Sequence, residues 1–419
     1  MKSIYLDNAA ATPIDSRVLS AMHKASRLYA NPSSFNTMGR LARNEIEKAR
    51  AVVAHFLGAR PDEIVFTSSG SEANNLALLG VAQASLQGST LNPKKGRTLG
   101  DKCSVIISTI EHLSVLEPIA ALETWGWKVY RLNVTKEGFV NPDDIKQILE
   151  KDKNVRLISI MYANNEIGTI QPIRQISKII RDLKTENCRK DLPKGEKLKT
   201  GEKVRPLFHV DACQATGFLD MNVQRLGVDL LTFNGSKIYG PRGIGVLYVR
   251  RGVQLNPIIS GGSQEQGLRA GTENTPAIVG LAKAISLIKP TTNNQQLTTL
   301  RDYTINKIQK EIPEALLVGA RGNSRLPNNI NICISGLESE NLLLELDKYG
   351  ISAGSGSACT SHAVEPSHVL KAIGVPASHI NGALRFSLGR ETTKKDIDYL
   401  VVSLVKIIAD LKKRYARLK

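Results

Sequence analysis

Lys237 lies in Asn234-Gly235-Ser236-Lys237, after the apolar run Leu230-Leu231-Thr232-Phe233 and ahead of a second strand-like stretch from Gly243 to Val249. Lysine ordinarily belongs on a solvated face, so one set between two buried β-type segments needs a chemical reason. A dry pocket disfavours the ammonium form, and the neutral amine then condenses with a carbonyl to a Schiff base. Pyridoxal phosphate is the common carbonyl partner, held by such a lysine and by an acid facing its ring nitrogen. Asp211 is placed to be that acid, because Leu207-Phe208-His209-Val210 reads as a buried strand and open α/β sheets bind ligands beyond their strands' carboxyl ends. A helix N-cap is the other use of an Asp at such a place. Gln214, three residues on, reaches the cofactor's phenolic oxygen if the chain turns helical there.

Other segments bring further chemistry to the same edge. The strand Ile64-Val65-Phe66-Thr67 runs into Ser68-Ser69-Gly70-Ser71-Glu72 and then a helical stretch with Leu76, Leu79 and Val81. That is a helix N-terminus after a Gly/Ser turn, whose free amides and dipole favour a phosphate, although capping alone also explains the serines. Glu111-His112 follows the strand Val105-Ile106-Ile107-Ser108, putting a ring there that can stack on a pyridine and shuttle protons. Asn164-Asn165-Glu166-Ile167-Gly168 follows the strand Leu157 to Met161, and Arg385 sits in the alternating segment Ala383-Leu384-Arg385-Phe386-Ser387. An inward guanidinium suits a substrate carboxylate, because its planar fork makes two parallel hydrogen bonds.

The elements that position these groups alternate. From about Ser16 to Leu287, strands at 64–67, 105–108, 128–132, 157–161, 207–210, 230–233 and 244–249 are interleaved with helical stretches such as 41–57, 113–124 and 172–183. This is the pattern of an α/β fold, a mostly parallel sheet covered on both faces. After helices 276–288 and 297–311 it changes to strands 316–318, 330–334 and 383–387 with helices 338–348 and 395–418, which predicts a smaller α+β domain. The expected division is 15–290 for the large domain and 291–419 for the small one, with the site between them.

Composition narrows the class. The chain has 419 residues and 42% hydrophobic content, enough for a large core and more than one compact unit usually holds. No stretch approaches a membrane span, and Met1-Lys2-Ser3-Ile4-Tyr5-Leu6-Asp7 has no apolar signal core, so a cytoplasmic location is expected. The five cysteines, at 103, 188, 213, 333 and 359, form no Cys-x-x-Cys pair, which argues against a disulfide framework or a zinc site. Cys359-Thr360-Ser361-His362 has a two-ligand spacing but no second pair to complete a tetrahedral site, so no metal is expected. The net charge is +17, and the stretch 181–205 carries nine Lys/Arg against five Asp/Glu without apolar periodicity. It reads as an exposed loop, and its lack of aromatics favours a solvated loop over a nucleic-acid site.

Taken in order, these residues resemble the cysteine desulfurases of the NifS/IscS group, within the class V aminotransferase family of pyridoxal phosphate enzymes of fold type I. The likeness runs through Tyr5-Leu6-Asp7-Asn8-Ala9-Ala10, Asn31-Pro32-Ser33-Ser34, Glu111-His112, Asn164-Asn165-Glu166-Ile167-Gly168, Asp211-Ala212-Cys213-Gln214 and Lys237. It continues through Arg269-Ala270-Gly271-Thr272 and Ser355-Gly356-Ser357-Ala358-Cys359 to Arg385-Phe386-Ser387-Leu388-Gly389-Arg390. The resemblance implies Lys237 as the Schiff-base lysine, His112 stacked on the ring, Asp211 at the ring nitrogen and Gln214 at the phenolic oxygen. It implies Gly70 and Ser71 at the phosphate, Thr272 reaching the phosphate of a neighbouring subunit in a homodimer, and residues 1–14 threaded into the small domain. Asn165 and Arg385 would bind the substrate carboxylate, and Cys359 would accept the sulfur.

The implied reaction has Lys237 or His112 remove the α-proton of L-cysteine, converts it to L-alanine and leaves a persulfide on Cys359, for an acceptor in iron-sulfur cluster assembly or tRNA thiolation. A selenocysteine lyase is the alternative within the class, and a basic nucleic-acid-binding scaffold without catalysis is the alternative outside it. The chain departs from the pattern in three places. Asn36 stands where relatives commonly have a histidine, and Ser69-Gly70 replaces a more frequent Gly-Gly or Gly-Ala. Asn234-Gly235-Ser236-Lys237 replaces Ser-Gly-His-Lys, so the phosphate keeps an amide and a hydroxyl but loses an imidazole. The basic stretches 88–102 and 181–205 are expected to fall outside the resemblance.

Overall fold

A computed structural model describes residues 3–87, 103–182, 205–356 and 366–417. Seven strands form the large sheet in the order Ile64–Thr67, Gly245–Val249, Leu230–Asn234, Leu207–Asp211, Val155–Ser159, Ser104–Ser108, Lys128–Leu132. The last five pair in parallel, whereas Gly245–Val249 is antiparallel to both its neighbours. Val105, Ile106 and Ile107 are all fully buried, as expected of strands covered on both faces. Ser104–Ser108 pairs with Lys128–Leu132 on one side and Val155–Ser159 on the other, so strand order reverses beside it. At such a reversal the loops leaving adjacent strands diverge and open a crevice. His112 and Asn165 lie on those two loops.

The boundaries differ from the periodicity reading in ways local chemistry explains. The strand predicted at 157–161 runs from Val155 to Ser159, although Ile160 N and Tyr162 N still donate to His209 O and Asp211 O. The helix predicted from 41 starts at Thr37, because the Asn36 side chain accepts from Gly39 N at 2.8 Å, and it ends at Gly58 in the left-handed conformation with φ 63°. Asn36 thus acts as a helix cap. Pro290, at the first turn, starts the helix predicted from 297.

A second core gathers Ile4, Leu6, Ile308, Ile332, Leu346, Phe386 and Leu404. It lies among a three-stranded antiparallel sheet, Leu316–Leu317 with Asn329–Cys333 and Ala383–Ser387, and the helices Pro290–Glu311, Ser339–Lys348 and Lys394–Arg417. On the last helix Ile397, Leu400, Val401, Leu404, Ile407, Ile408 and Leu411 are buried at three- and four-residue spacing. Ile4–Tyr5 pairs in parallel with Ile351–Ser352, which ties the N-terminal segment to this second core. From there the segment crosses to the large sheet, where Thr12 N donates to Ser236 O at 2.8 Å and Thr12 Oγ1 accepts from Tyr239 N at 2.7 Å. Arg205, at the end of the basic stretch, is held by two hydrogen bonds of 2.7 Å to the buried Asp229 carboxylate. No helix among the described residues is long and apolar enough to cross a membrane.

Candidate active site

A cavity of about 420 Å³ opens at the carboxyl ends of the parallel strands, and elements of both cores line it. Its wall includes Gly70, Ser71, His112, Asn165, Asp211, Gln214, Asn234, Lys237 and Arg385, drawn from segments far apart in sequence. Lys237 ends a single 3-10 turn, Gly235–Lys237, between two antiparallel strands, and its Nζ donates to Ala10 O at 2.5 Å. Two residues on, Tyr239 takes the left-handed conformation with φ 61°. Arg390 holds it there, stacked 4.0 Å from the ring centroid and donating from its backbone N to Tyr239 Oη at 2.7 Å.

Asp211 ends its strand with 6% exposure, and one carboxylate oxygen accepts from Cys213 N at 2.9 Å, while the other accepts from Asn74 Nδ2 at 2.8 Å. Residues 213–218 form turns instead of a helix, and Gln214 Nε2 donates to Ala9 O at 3.0 Å. The Gly70–Gln87 helix begins at the cavity. A Cβ on Gly70 would lie 2.7 Å from Cys213 Sγ and 2.9 Å from Asn234 Nδ2, so glycine lets those two side chains pack against the helix N-terminus, where Gly70 and Ser71 line the cavity. The Ser236 hydroxyl donates to Asn234 Oδ1 at 3.0 Å, and Ser236 is not among the cavity-lining residues. Thr272 is exposed and does not line the cavity of its own chain. Cys359 lies outside the described residues.

Arg385, 2% exposed, donates from Nη2 to Asp7 Oδ1 at 2.7 Å and from Nη1 to Asn165 O at 3.2 Å. Its buried Nε has no hydrogen-bond partner among the described residues. The guanidinium is therefore oriented by the N-terminal segment before any substrate arrives.

Several groups here carried no assigned role in the sequence. Glu111 is fully buried, with Oε1 hydrogen-bonded to Ser108 Oγ at 2.5 Å and accepting from Met161 N at 3.0 Å, while Oε2 has no partner among the described residues. Burial pushes its carboxyl up to about 8, against the smaller opposing effect of the Ser108 hydrogen bond. Burial also raises Glu166, opposed by its 2.6 Å hydrogen bond from Ser367 Oγ, and pushes His209 down to about 4. His368, which also lines the cavity, is hydrogen-bonded through Nε2 to Glu111 O at 2.9 Å. Glu166 was legible only as part of a motif, and nothing in the local sequence marks Ser367 or His368. Asn74 had a signal in its spacing, since it lies one helical turn after Gly70.

The cavity fits pyridoxal phosphate on its own chemistry. It has a lysine, a buried carboxylate, a helix N-terminus and an imidazole among its lining residues.

The profile of the class-V aminotransferase family matches residues 4–186 and 196–400. The gap at 187–195 falls within the second basic stretch, whereas 88–102 lies inside the match, contrary to expectation. The chain is 44% identical over 414 residues to the cysteine desulfurase IscS of Dictyoglomus turgidum, covering 98% of this chain and 96% of that one. It is 41% identical to the cysteine desulfurase IscS of Methanosarcina thermophila, covering 98% and 93%. Among solved structures, a NifS-like protein superposes with a TM-score of 0.82 at 32% identity, covering 97% of this chain and all of that one. A structure of SspA in complex with cysteine superposes with a TM-score of 0.74 at 32% identity, covering 93% and 100%.

Proposed function

The chain belongs to the class-V aminotransferase family, and from that membership we propose that it is a pyridoxal phosphate-dependent cysteine desulfurase acting on L-cysteine. The carrying observation is the single cavity that gathers Lys237, Asp211, His112, Gln214, Asn165 and Arg385. Bound pyridoxal phosphate supplies an electron sink for the substrate's α-carbon. Asp211 holds the ring-nitrogen proton, and its own carboxylate is kept in place by Asn74 and the Cys213 amide. The amides at the start of the Gly70–Gln87 helix, with Ser71 and Asn234, hold the phosphate. Arg385 and Asn165 orient the substrate carboxylate, and Lys237 Nζ, which lines the cavity, takes the α-proton. Cys359 thiolate attacks the substrate sulfur. The new sulfur–sulfur bond forms as the carbon–sulfur bond breaks, the β-carbon keeps that electron pair and is protonated, Lys237 returns the α-proton, and L-alanine leaves. The persulfide on Cys359 then passes to an acceptor protein, an iron-sulfur scaffold or a tRNA-thiolation enzyme.

The unit is proposed to be a cytoplasmic homodimer divided into a large domain, 15–290, and a small one made of 1–14 and 291–419. Support for the division comes from a core of the C-terminal helices and small sheet separate from those on the faces of the large sheet, and from the pairing of Ile4–Tyr5 with Ile351–Ser352, while a further cluster of Ile110, Met161 and Ile167 with Val318, Cys333 and Val369 joins the two parts. Support for the dimer comes from Thr272, exposed and away from its own cavity, and from Phe35 and Tyr29, 90% and 84% exposed. The test is optical. Wild-type protein supplied with the cofactor should show a visible band that borohydride fixes to Lys237, and Lys237→Ala should lack it. A wild type with no such band refutes the enzyme reading.

A further inference from the structure

A chain of hydrogen bonds runs from Asp211 to His112. Asn74, 1% exposed, donates from Nδ2 to Asp211 Oδ2 at 2.8 Å and to Ser114 Oγ at 2.8 Å. The amide orientation follows from chemistry, because an ionised carboxylate only accepts, so the atom facing it is the amide nitrogen. One lone pair of Ser114 Oγ is thereby occupied. Its hydroxyl proton is directed to its other neighbour, His112 Nδ1, at 2.8 Å. The Ser114 backbone N–H points at the same nitrogen from 3.1 Å. A backbone amide can only donate, so Nδ1 carries a lone pair and the ring proton sits on Nε2.

The backbone makes the same choice. His112 is the N-cap of the helix Leu113–Thr124, with φ −68° and ψ 152°. The partial positive charge at a helix start disfavours an imidazolium, as in enzymes whose active-site histidine is kept neutral in this way. The charged groups around the ring divide. Asp211 and Glu166 face the cavity from two strand ends and favour a charged ring, whereas Lys237 and Arg385 oppose it, and His368 approaches from a third element. The neighbouring Glu111 carboxyl is fully buried with one oxygen unpartnered among the described residues, a geometry that suits the neutral acid.

We infer that Asn74 and Ser114 are positioning residues that lock His112 as the neutral imidazole protonated on Nε2. The consequence for the reaction rests on the desulfurase reading. A ring in this state donates a hydrogen bond from Nε2 and has no lone pair there to take the substrate's α-proton, so that proton goes to Lys237. The same relay links the group beside the ring nitrogen to the group over the ring face, so a change at Asn74 reaches both.

The test reads the tautomer directly, in holoenzyme carrying 15N-labelled histidine, between pH 6 and 9. The His112 signals are identified by their loss in His112→Gln. In the wild type, Nδ1 should show the shift of an unprotonated ring nitrogen and Nε2 that of a protonated one, unchanged across the range. Ser114→Ala removes one of the two donors to Nδ1, and the ring should begin to titrate, with a midpoint rising toward about 6.5. Asn74→Leu frees the Ser114 hydroxyl to turn away and should give a smaller shift in the same direction. A wild-type His112 protonated on Nδ1, or titrating within the range, overturns the inference. So do Ser114→Ala and Asn74→Leu spectra that both match the wild type. The visible band and alanine release from L-cysteine by the same wild-type sample report separately on the desulfurase reading, which fails if either is missing.

Discussion

Glu111→Gln should remove a fall in this protein's stability between about pH 4.5 and 8. The wild-type carboxyl is fully buried, and burial raises it from 4.5 to about 8. Below about pH 4.5 folded and unfolded chains both hold the proton. Between there and about 8 only the folded chain does, so the unfolded state binds fewer protons and stability falls as pH rises. The slope is about 1.4 kcal/mol per pH unit, and over the full interval the loss is on the order of 5 kcal/mol, complete above about pH 8. Glutamine cannot ionise and removes that slope. Its amide would, however, set an N–H donor where Oε2 has no partner among the described residues, a constant cost of about 1–3 kcal/mol. The variant should therefore be less stable than the wild type at pH 4.5 and more stable at pH 8.5. Thermal melts of both holoproteins at pH 4.5, 6.5 and 8.5 measure the difference. Parallel curves, with no crossing, would show that Glu111 does not hold its proton in the fold.

Three further outcomes follow from the site and the loop. Cys359→Ala should keep the visible band of the bound cofactor yet form no persulfide and release almost no alanine from L-cysteine, and alanine production at the wild-type rate would remove Cys359 as the nucleophile. Arg385→Lys exchanges a fork already set by Asp7 and Asn165 O for a point charge, and steady-state kinetics should show KM for L-cysteine raised by about tenfold or more, an effect near 1.4 kcal/mol. An unchanged KM would place the substrate carboxylate elsewhere. Replacing residues 187–203 by a short Gly/Ser linker should leave the visible band intact, because the helix ending at Asp182 and the Arg205–Asp229 ion pair frame the segment. Loss of folding would show that the segment is structural, and a steeply salt-dependent affinity for DNA or RNA that disappears with the deletion would revive nucleic-acid binding.

The strands carrying His112, Asp211 and Lys237 were legible because each is a short apolar run ending in polar residues, and a parallel sheet places such ends along one edge whatever the details of packing. The long C-terminal helix was legible for the same reason, since its buried face repeats every three to four residues. Local sequence could therefore bring Lys237, His112 and Asp211 to one sheet edge, although Ser236 and Thr272, also expected at the cofactor, do not line the cavity. It could not say what state they are in. Asp7 and Arg385 form an ion pair across 378 residues, and the first residues of the chain reach Lys237 and Gln214 through Ala10 O and Ala9 O. The Asp211–Asn74–Ser114–His112 relay joins three elements that share no sequence pattern, and the raised carboxyl of Glu111 exists only because the packed sheet excludes water from it. Side-chain type and spacing set the chemistry available, since they act over one strand or one helical turn. Orientation, tautomer and protonation depend on desolvation and on partners brought together by folding, so only the tertiary structure decided them.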